Sequence, residues 1–297
     1  MDGTTAKPWR ERWRQLKLAH CAIPAYGNNK QFWDNRKNVQ AVFMKGREKN
    51  GDQTRARLDA MAIPPGYRVL DIGAGPGTFA IPLALEGCSV TAVEPSSVMR
   101  ETLGEQMENE GISTITVIPK RWEDVSLDEL GEPFDAVIAS YSLTMMDIAE
   151  SVAKMQDCCR GTVHLFWFLT PPTWATVNRD LWPLIHGGEF PGEPMADWLW
   201  QVLVEMGIYA SLVVEEKSAC TRFGTFDDAM EEYSRRLRCT TPAHAETLVN
   251  YLHATLRMDA DGYTIGTRTL GAHIWWSPGA KTKKATGTRN TMNTTET

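Results

Sequence analysis

The sequence predicts an α/β fold built on a doubly wound, mostly parallel, seven-stranded sheet, with an N-terminal helical cap and insertions. Between Tyr67 and Thr170, short apolar runs rich in Val, Ile or Phe alternate with helical segments. Strands separated by helices of this length form βαβ units, and the resulting parallel sheet is covered on both faces. Two further apolar runs complete the sheet. The predicted strands are 67–72, 88–93, 114–118, 134–139, 161–169, 210–217 and 272–276.

The segment before the sheet is predicted to be a separate helical cap, residues 1–66. It holds two helical stretches, Trp9–Ala19 and Phe32–Met61, and ends at the helix breaker Pro64-Pro65-Gly66. A loop containing Gly27-Asn28-Asn29 separates the two stretches and could serve as a hinge for cap closure.

The main α/β domain is predicted over residues 67–280. Within it, 171–209 reads as an insertion rich in Pro and Trp, irregular up to a helix near 195–206. A helical insertion is expected over 222–260, opened by capping residues Thr225 and Thr241. The tail 281–297 is rich in Thr, Lys and Asn and is predicted to be disordered. The remaining predicted helices are 77–86, 96–110 and 147–159.

Composition and charge restrict the partners. The 297 residues carry a net charge of -6, so the chain lacks the basic field that nucleic-acid binding usually requires. No apolar run approaches the ~20 residues of a membrane-spanning helix. The N-terminus has no apolar stretch typical of a signal peptide, and the six cysteines form no CxxC pair. We therefore expect a cytoplasmic protein with no nucleic-acid or membrane partner; the oligomeric state is left open.

The most informative segment is a glycine loop between the first strand and the first helix of the sheet. After Asp71 and Ile72 the chain reads Gly73-Ala74-Gly75-Pro76-Gly77-Thr78. Glycines let the backbone approach a ligand closely, and the free N–H groups of a helix start favour an anion. Glu94, at the end of the second strand and about 20 positions downstream, is placed to accept hydrogen bonds from ribose hydroxyls.

Two ligand classes share this arrangement. A dinucleotide loop usually reads G-x-G-x-x-G, and position 78, where the third glycine would fall, is Thr. The carboxylate of Asp71 would repel a pyrophosphate but would attract an ammonium or a sulfonium group. S-adenosylmethionine carries both cations, so the residues favour it, with an NAD(P)-dependent oxidoreductase kept as the alternative.

At these residues the chain resembles the class I S-adenosylmethionine-dependent methyltransferases, over about Tyr67 to Thr170. The resemblance implies a Rossmann-like cofactor domain, S-adenosylmethionine as cofactor and S-adenosylhomocysteine as product. It places Asp71 and Gly73 beside the methionine moiety, and Glu94 at the ribose. The other cofactor-binding positions that it implies are Ala74, Gly75 and Gly77 in the turn, Pro95 after Glu94, Arg121, Trp122 and Glu123 near the adenine, and Ser140 beside the transferred methyl.

The acceptor is predicted to be a small molecule, with a protein side chain as a further option and a catalytically silent binding domain as a third reading. Tyr141 and Asp147, near the end of the fourth strand, and Tyr26 in the N-terminal loop are candidate catalytic residues that contact the acceptor. The many tryptophans outside the sheet fit either cap packing or an aromatic acceptor pocket. No metal site is predicted, because His20 and Cys21 have no second ligand pair at a known spacing.

Overall fold

A computed structural model describes residues 7–23, 33, 35, 36, 39 and 53–279. The strands are β1 Arg68–Ile72, β2 Ser89–Val93, β3 Ile115–Ile118, β4 Phe134–Ser140, β5 Cys159–Phe168, β6 Ser211–Phe223, β7 Arg257–Asp259 and β8 Gly262–Trp276. The helices are α1 Trp9–Cys21, α2 with helical residues 53–61, α3 Ala80–Leu85, α4 Ser97–Asn109, α5 Leu127–Leu130, α6 Ile148–Asp157, α7 Thr173–His186, α8 Ala196–Glu205, α9 Phe226–Leu237 and α10 Pro242–Thr255.

The strands form one sheet in the order β3-β2-β1-β4-β5-β8-β6, with the short β7 paired to β8. The five strands from β3 to β5 are parallel, whereas β8 runs antiparallel to both β5 and β6. The predicted mostly parallel, seven-stranded sheet is confirmed, and β7 is an addition at its flank. The carboxyl ends of β1, β2, β4 and β5 therefore share one edge, where α/β folds bind their ligands.

Alternating side chains bury both faces of the sheet. On β1, Leu70 and Ile72 join the cluster that contains α1, α6 and α8, whereas Val69 joins the cluster that contains α2, α3 and α4. The core strands are apolar on both faces for this reason, as expected of a parallel sheet covered by helices. Asp71, between Leu70 and Ile72, is buried on the other face of β1. Its carboxylate lies next to the N–H of Ala80, the first residue of α3.

A third apolar cluster lies beyond the carboxyl edge. The first half of β8, before Gly271, pairs with β6 but not with β5, so these two strands extend past the sheet as a long hairpin. Helices α7, α9 and α10 pack on this extension through Val177, Tyr233 and Leu248, among others. The extension and these three helices lie beyond the carboxyl end of β5. We call them the C-terminal cap, as distinct from the predicted N-terminal cap.

The prediction of an irregular connection is wrong for Thr173–His186, which is helical. The buried residues Val177, Leu181 and Ile185 recur at every fourth position. They pack this helix against α9, α10 and the extended hairpin. Pro183 masked the pattern, since a proline inside a helix removes a backbone hydrogen bond. The chain tolerates it within the last turn, which ends at Gly187.

The last two predicted strands are too short. β6 continues to Phe223 instead of 217, and β8 begins at Gly262 instead of 272. The helix that Thr241 opens ends at Thr255, short of the predicted limit at 260, because β7 follows it. The segment 222–260 is therefore two helices between strand extensions. Over the described residues, no helix has the length and hydropathy needed to cross a membrane.

Candidate active site

The glycine loop is held against the end of β2. The N–H groups of Gly73 and Ala74 both donate to the carbonyl of Val93, at 2.8 and 3.2 Å, and the N–H of Gly77 donates to Ala74 at 3.0 Å. Gly73 has a φ of +71°, and a Cβ there would lie 2.4 Å from the Cβ of Ser142. Only glycine fits this position, because the loop after β4 lies directly against it.

Glu94 ties the loop to the second strand. One carboxylate oxygen accepts the N–H of Gly75 at 2.8 Å, and the other accepts the N–H of Ser96 at 2.8 Å. These two hydrogen bonds fix the position of the Glu94 carboxylate at the loop.

Asp71 lies beneath the same loop and is buried. Its carboxylate accepts the N–H of Ala80, but its Oδ2 has no hydrogen-bond partner within the part of the chain that the structure describes. Burial, and next the negative charge of Glu94, raise the pKa of Asp71 to about 7. A buried acceptor without a partner is costly, and its cost falls when a donor or a cation arrives.

The two carboxylates thus face one loop and repel each other. An ammonium or sulfonium placed between the loop and the strand ends would relieve that repulsion, whereas a pyrophosphate would add to it. The residues present fit S-adenosylmethionine, which brings cations and a ribose to the same place.

Comparisons with known proteins agree with this geometry. A family model described as a methyltransferase domain matches residues 69–162. An uncharacterized protein of Haemophilus influenzae is 30% identical over 200 residues, which are 67% of this chain and 71% of that protein. A ubiquinone biosynthesis O-methyltransferase of Methylocella silvestris is 32% identical over 117 residues, or 39% of this chain and 42% of that enzyme.

A solved structure shares the fold. It is phosphoethanolamine N-methyltransferase 2 of Haemonchus contortus in complex with S-adenosyl-L-methionine, with a TM-score of 0.51 and 17% identity, covering 82% of this chain and 57% of that one. The family match spans the glycine loop, Glu94 and β4. The chain belongs to the class I S-adenosylmethionine-dependent methyltransferases. Its cofactor is accordingly S-adenosylmethionine, and the NAD(P)-dependent alternative has no support.

The predicted adenine loop of this methyltransferase follows β3. Arg121 is exposed and pairs with Glu123 at 3.0 Å. The ring of Trp122 is buried in the core, where its indole N–H donates to the carbonyl of Ser151 at 3.3 Å and the Nζ of Lys154 lies 4.4 Å from its centroid. The ring of Trp122 is therefore packed in the core. Pro95 is exposed, and its carbonyl accepts from Arg100 at 2.8 Å.

Tyr141 follows Ser140, the last residue of β4, and lies at the carboxyl edge. It has a φ of +53°, a left-handed conformation that is costly for a tyrosine and that often marks functional positions. Its ring contacts that of Phe168 with centroids 4.7 Å apart, and Arg57 Nη2 donates to its hydroxyl at 3.4 Å. Burial raises the pKa of Tyr141 to about 12.

The other two candidate catalytic residues are Asp147 and Tyr26. Asp147 is exposed and caps α6, where its carboxylate accepts the N–H of Glu150 at 3.1 Å. This bond gives Asp147 a structural role whatever else it does. Tyr26 and the Gly27-Asn28-Asn29 hinge lie outside the described residues.

The sequence did not reveal Arg57 and Glu215 as part of the site. Arg57 on α2 donates to both carboxylate oxygens of Glu215 on β6, at 2.8 to 3.3 Å, and its guanidinium lies over the rings of Tyr141 and Phe166. The pair joins residues 158 positions apart, so no local pattern could have predicted it.

The N-terminal segment also contacts the carboxyl edge of the sheet, near Glu94. The hydroxyl of Ser96, next to the Glu94 loop, donates to the backbone carbonyl of Trp33 at 2.8 Å. Over the described ranges, no group of three or more His, Cys, Asp or Glu side chains could hold a metal ion. His20 instead contacts the carbonyl of Pro191 at 2.9 Å.

Proposed function

We propose that the protein transfers a methyl group from S-adenosylmethionine to a small-molecule acceptor. The observation that carries the proposal is the surroundings of Tyr141 at the carboxyl edge, where its ring contacts Phe168 and its hydroxyl accepts a hydrogen bond from Arg57. A position lined by aromatic and polar side chains of different elements suits a small molecule.

Asp71 and Glu94 would hold the cofactor. Asp71 would ionise when the cationic part of the cofactor binds, and Glu94, at the end of the second strand, would accept hydrogen bonds from the ribose hydroxyls. Gly73, Ala74, Gly75 and Gly77 would line the methionine side through the backbone. Bound S-adenosylmethionine supplies a methyl carbon on a sulfonium, which an acceptor lone pair attacks in line, so that the S–CH₃ bond breaks and a neutral thioether leaves.

Tyr141 would orient the acceptor instead of removing its proton. A phenol with a pKa of about 12 stays protonated at neutral pH. Arg57 donates to the phenol oxygen, which fixes the position of the ring at the carboxyl edge. Positioning of this kind can supply a large part of the rate of a displacement. Asp147 and Tyr26 stay candidates for contacting the acceptor.

One relative supports the proposal. The Methylocella silvestris protein is by its name an O-methyltransferase of ubiquinone biosynthesis.

We also propose a cytoplasmic location. Five cysteines of the described residues are free thiols, as expected in a reducing compartment: Cys21, Cys88, Cys158, Cys159 and Cys239.

The experiment is a label-transfer assay. The full chain is incubated with methyl-labelled S-adenosylmethionine and cell extract, which is then separated into small-molecule filtrate, protein and RNA. We expect enzyme-dependent label in the filtrate that Asp71→Ala abolishes. Label in the protein or RNA fraction would contradict a small-molecule acceptor, and no transfer despite cofactor binding would favour the silent-domain reading.

A further inference from the structure

Arg57 connects Tyr141 with the edge strand β6. From α2, its Nε and Nη2 donate to the carboxylate of Glu215 at 2.8 to 3.3 Å, and Nη2 also donates to the hydroxyl of Tyr141 at 3.4 Å. Tyr141 follows β4, and both β5 and β8 lie between β4 and β6 in the sheet. One guanidinium therefore joins a phenol and a carboxylate across the width of two strands.

The ion pair restricts where this guanidinium can lie. The side chains of Arg57 and Glu215 are only 12% and 23% exposed. The planar fork of an arginine bonds a carboxylate through two nitrogens, which sets its orientation as well as its distance. A pair of this burial is also screened less by water than an exposed one. The position of the guanidinium thus depends on Glu215.

The sheet leaves room for the contact between the two sides. Glu215 on β6 lies opposite Gly271 on β8, and Gly271 lies opposite Phe168 on β5. Cross-strand partners project from the same face of a sheet. Because Gly271 has no side chain, this row is open between Glu215 and Phe168, whose ring contacts that of Tyr141.

The guanidinium lies over two aromatic rings. Its carbon is 5.2 Å from the centroid of Tyr141 and 5.5 Å from that of Phe166. A cation within about 6 Å of a ring face is attracted by the ring. Arg57 therefore contacts both the ring and the hydroxyl of Tyr141.

A buried histidine pair supports the ring of Phe166. His273 stacks on Phe166 with centroids 4.2 Å apart, and Nδ1 of His164 lies 3.1 Å from Nε2 of His273. Burial lowers the pKa of His273 to about 4 and that of His164 to about 3. Both rings are neutral at neutral pH, so they add no positive charge that would repel the guanidinium of Arg57.

Tyr141 needs support of this kind. Its φ of +53° is costly for a tyrosine, and a strained conformation persists only where the surrounding structure fixes it. Its backbone N–H donates to the carbonyl of Phe166 at 2.9 Å, which fixes the main chain. The contacts with Arg57 and Phe168 fix the side chain.

We propose that Glu215 is a positioning residue for methyl transfer: it fixes the guanidinium of Arg57, and Arg57 holds the ring and hydroxyl of Tyr141 in the orientation that the acceptor meets. The inference rests on the proposed function, in which Tyr141 orients the acceptor. The competing possibility is a structural pair that fastens α2 to β6 and leaves Tyr141 unaffected.

The first test observes Tyr141 without any acceptor. The full chain is labelled with 3-fluorotyrosine and bound to S-adenosylhomocysteine, and Tyr141→Phe assigns the fluorine resonance. After burial, which raises the pKa of Tyr141, Arg57 lowers this pKa and Glu215 raises it, so both charges reach the phenol. We expect Glu215→Gln and Arg57→Gln to shift the Tyr141 resonance.

A matched control removes a different ion pair. Arg160 Nε donates to Asp135 at 2.7 Å, and this pair also joins two strands, at the amino end of β5. Arg160→Gln should leave the Tyr141 resonance and the transfer rate unchanged.

The second test measures transfer. Each variant receives saturating methyl-labelled S-adenosylmethionine and the small-molecule filtrate of a cell extract. We expect Glu215→Gln to slow labelling of the filtrate by about 10- to 100-fold, the scale of a misplacement of about 1 Å. Its dissociation constant for S-adenosylmethionine, measured by calorimetry, should stay within about twofold of the wild-type value.

Three further variants separate positioning from packing. If Glu215 acts through Arg57, the double variant Arg57→Gln/Glu215→Gln should be no slower than Arg57→Gln alone. Arg57→Lys keeps the charge but not the fork, so it should not restore the rate. Glu215→Asp keeps the charge and draws the carboxylate back, so it should also slow transfer, and it replaces Glu215→Gln if that variant does not fold.

The inference is overturned if Glu215→Gln leaves the Tyr141 resonance or the transfer rate unchanged, if the losses in the double variant multiply, or if Arg57→Lys is fully active. A wild type that labels the filtrate, with Glu215→Gln equally fast, refutes the positioning role alone. A wild type that binds S-adenosylmethionine and labels nothing refutes the proposed function.

Discussion

Asp71 is the residue whose ionisation sets the charge of the proposed cofactor site. Its raised pKa means that the ligand-free protein holds a proton there below about pH 7, which an unfolded chain with the ordinary value of 3.8 would release. The native state therefore binds more protons between these two values. The contribution to stability is full below the unfolded pKa and is lost as the pH rises through the folded one.

The same titration predicts the pH dependence of cofactor binding. A cationic ligand prefers the ionised carboxylate, so the affinity for S-adenosylmethionine should increase as the pH rises from about 5.5 to about 7, which lies below the α-amino pKa of about 7.7–8.0. Asp71→Asn should flatten this profile and also the fall in unfolding free energy over the same range. Calorimetry and urea unfolding at each pH measure both. Equal pH profiles for wild type and variant would show that Asp71 is not the titrating group.

The glycine loop and the loop after β4 pack against each other at the carboxyl edge of the sheet. Gly73 and Gly75 both have positive φ, which costs an alanine about 1–2 kcal/mol. Only at Gly73 would the added Cβ also collide with Ser142, since the nearest atom at Gly75 is the sulfur of Met99 at 3.9 Å.

These two glycines give a matched pair of variants. We expect Gly75→Ala to lose only the conformational cost, and Gly73→Ala to lose about 1–3 kcal/mol more through overpacking. Urea unfolding of the two variants measures the difference. Equal losses would show that the loop after β4 yields easily and does not define the edge.

The helices and strands differ in how well their positions can be predicted from the sequence. The strands β1 to β5 and the helices α3, α4 and α6 were predictable because each has its own apolar pattern, whereas the short helix α5 between β3 and β4 was not predicted. Helix α7 was hidden by Pro183, although the stripe Val177, Leu181 and Ile185 could have revealed it. The Asp261-Gly262 dipeptide, typical of a tight hairpin, was the missed signal for the early start of β8.

At the scale of the whole molecule, the convergence of Asp71 and Glu94 on one loop was predictable, and the surroundings of Tyr141 were not. Asp71 and Glu94 meet because they end neighbouring parallel strands, a relation that strand order alone supplies. The walls around Tyr141 come instead from α2, β5, β6 and α7, through contacts such as Arg57 with Glu215. Such contacts depend on tertiary packing that no local pattern encodes.

The central claim is that a pair of carboxylates at one loop selects a positively charged methyl donor. The most direct measurement is a calorimetric comparison of S-adenosylmethionine, 5′-methylthioadenosine and NAD⁺ on the full chain near neutral pH. 5′-Methylthioadenosine keeps the nucleoside and the sulfur but lacks both cations. We expect S-adenosylmethionine to bind at least about tenfold more tightly than 5′-methylthioadenosine, and NAD⁺ not to bind. Equal affinities for the first two ligands, or binding of NAD⁺ alone, would contradict the claim.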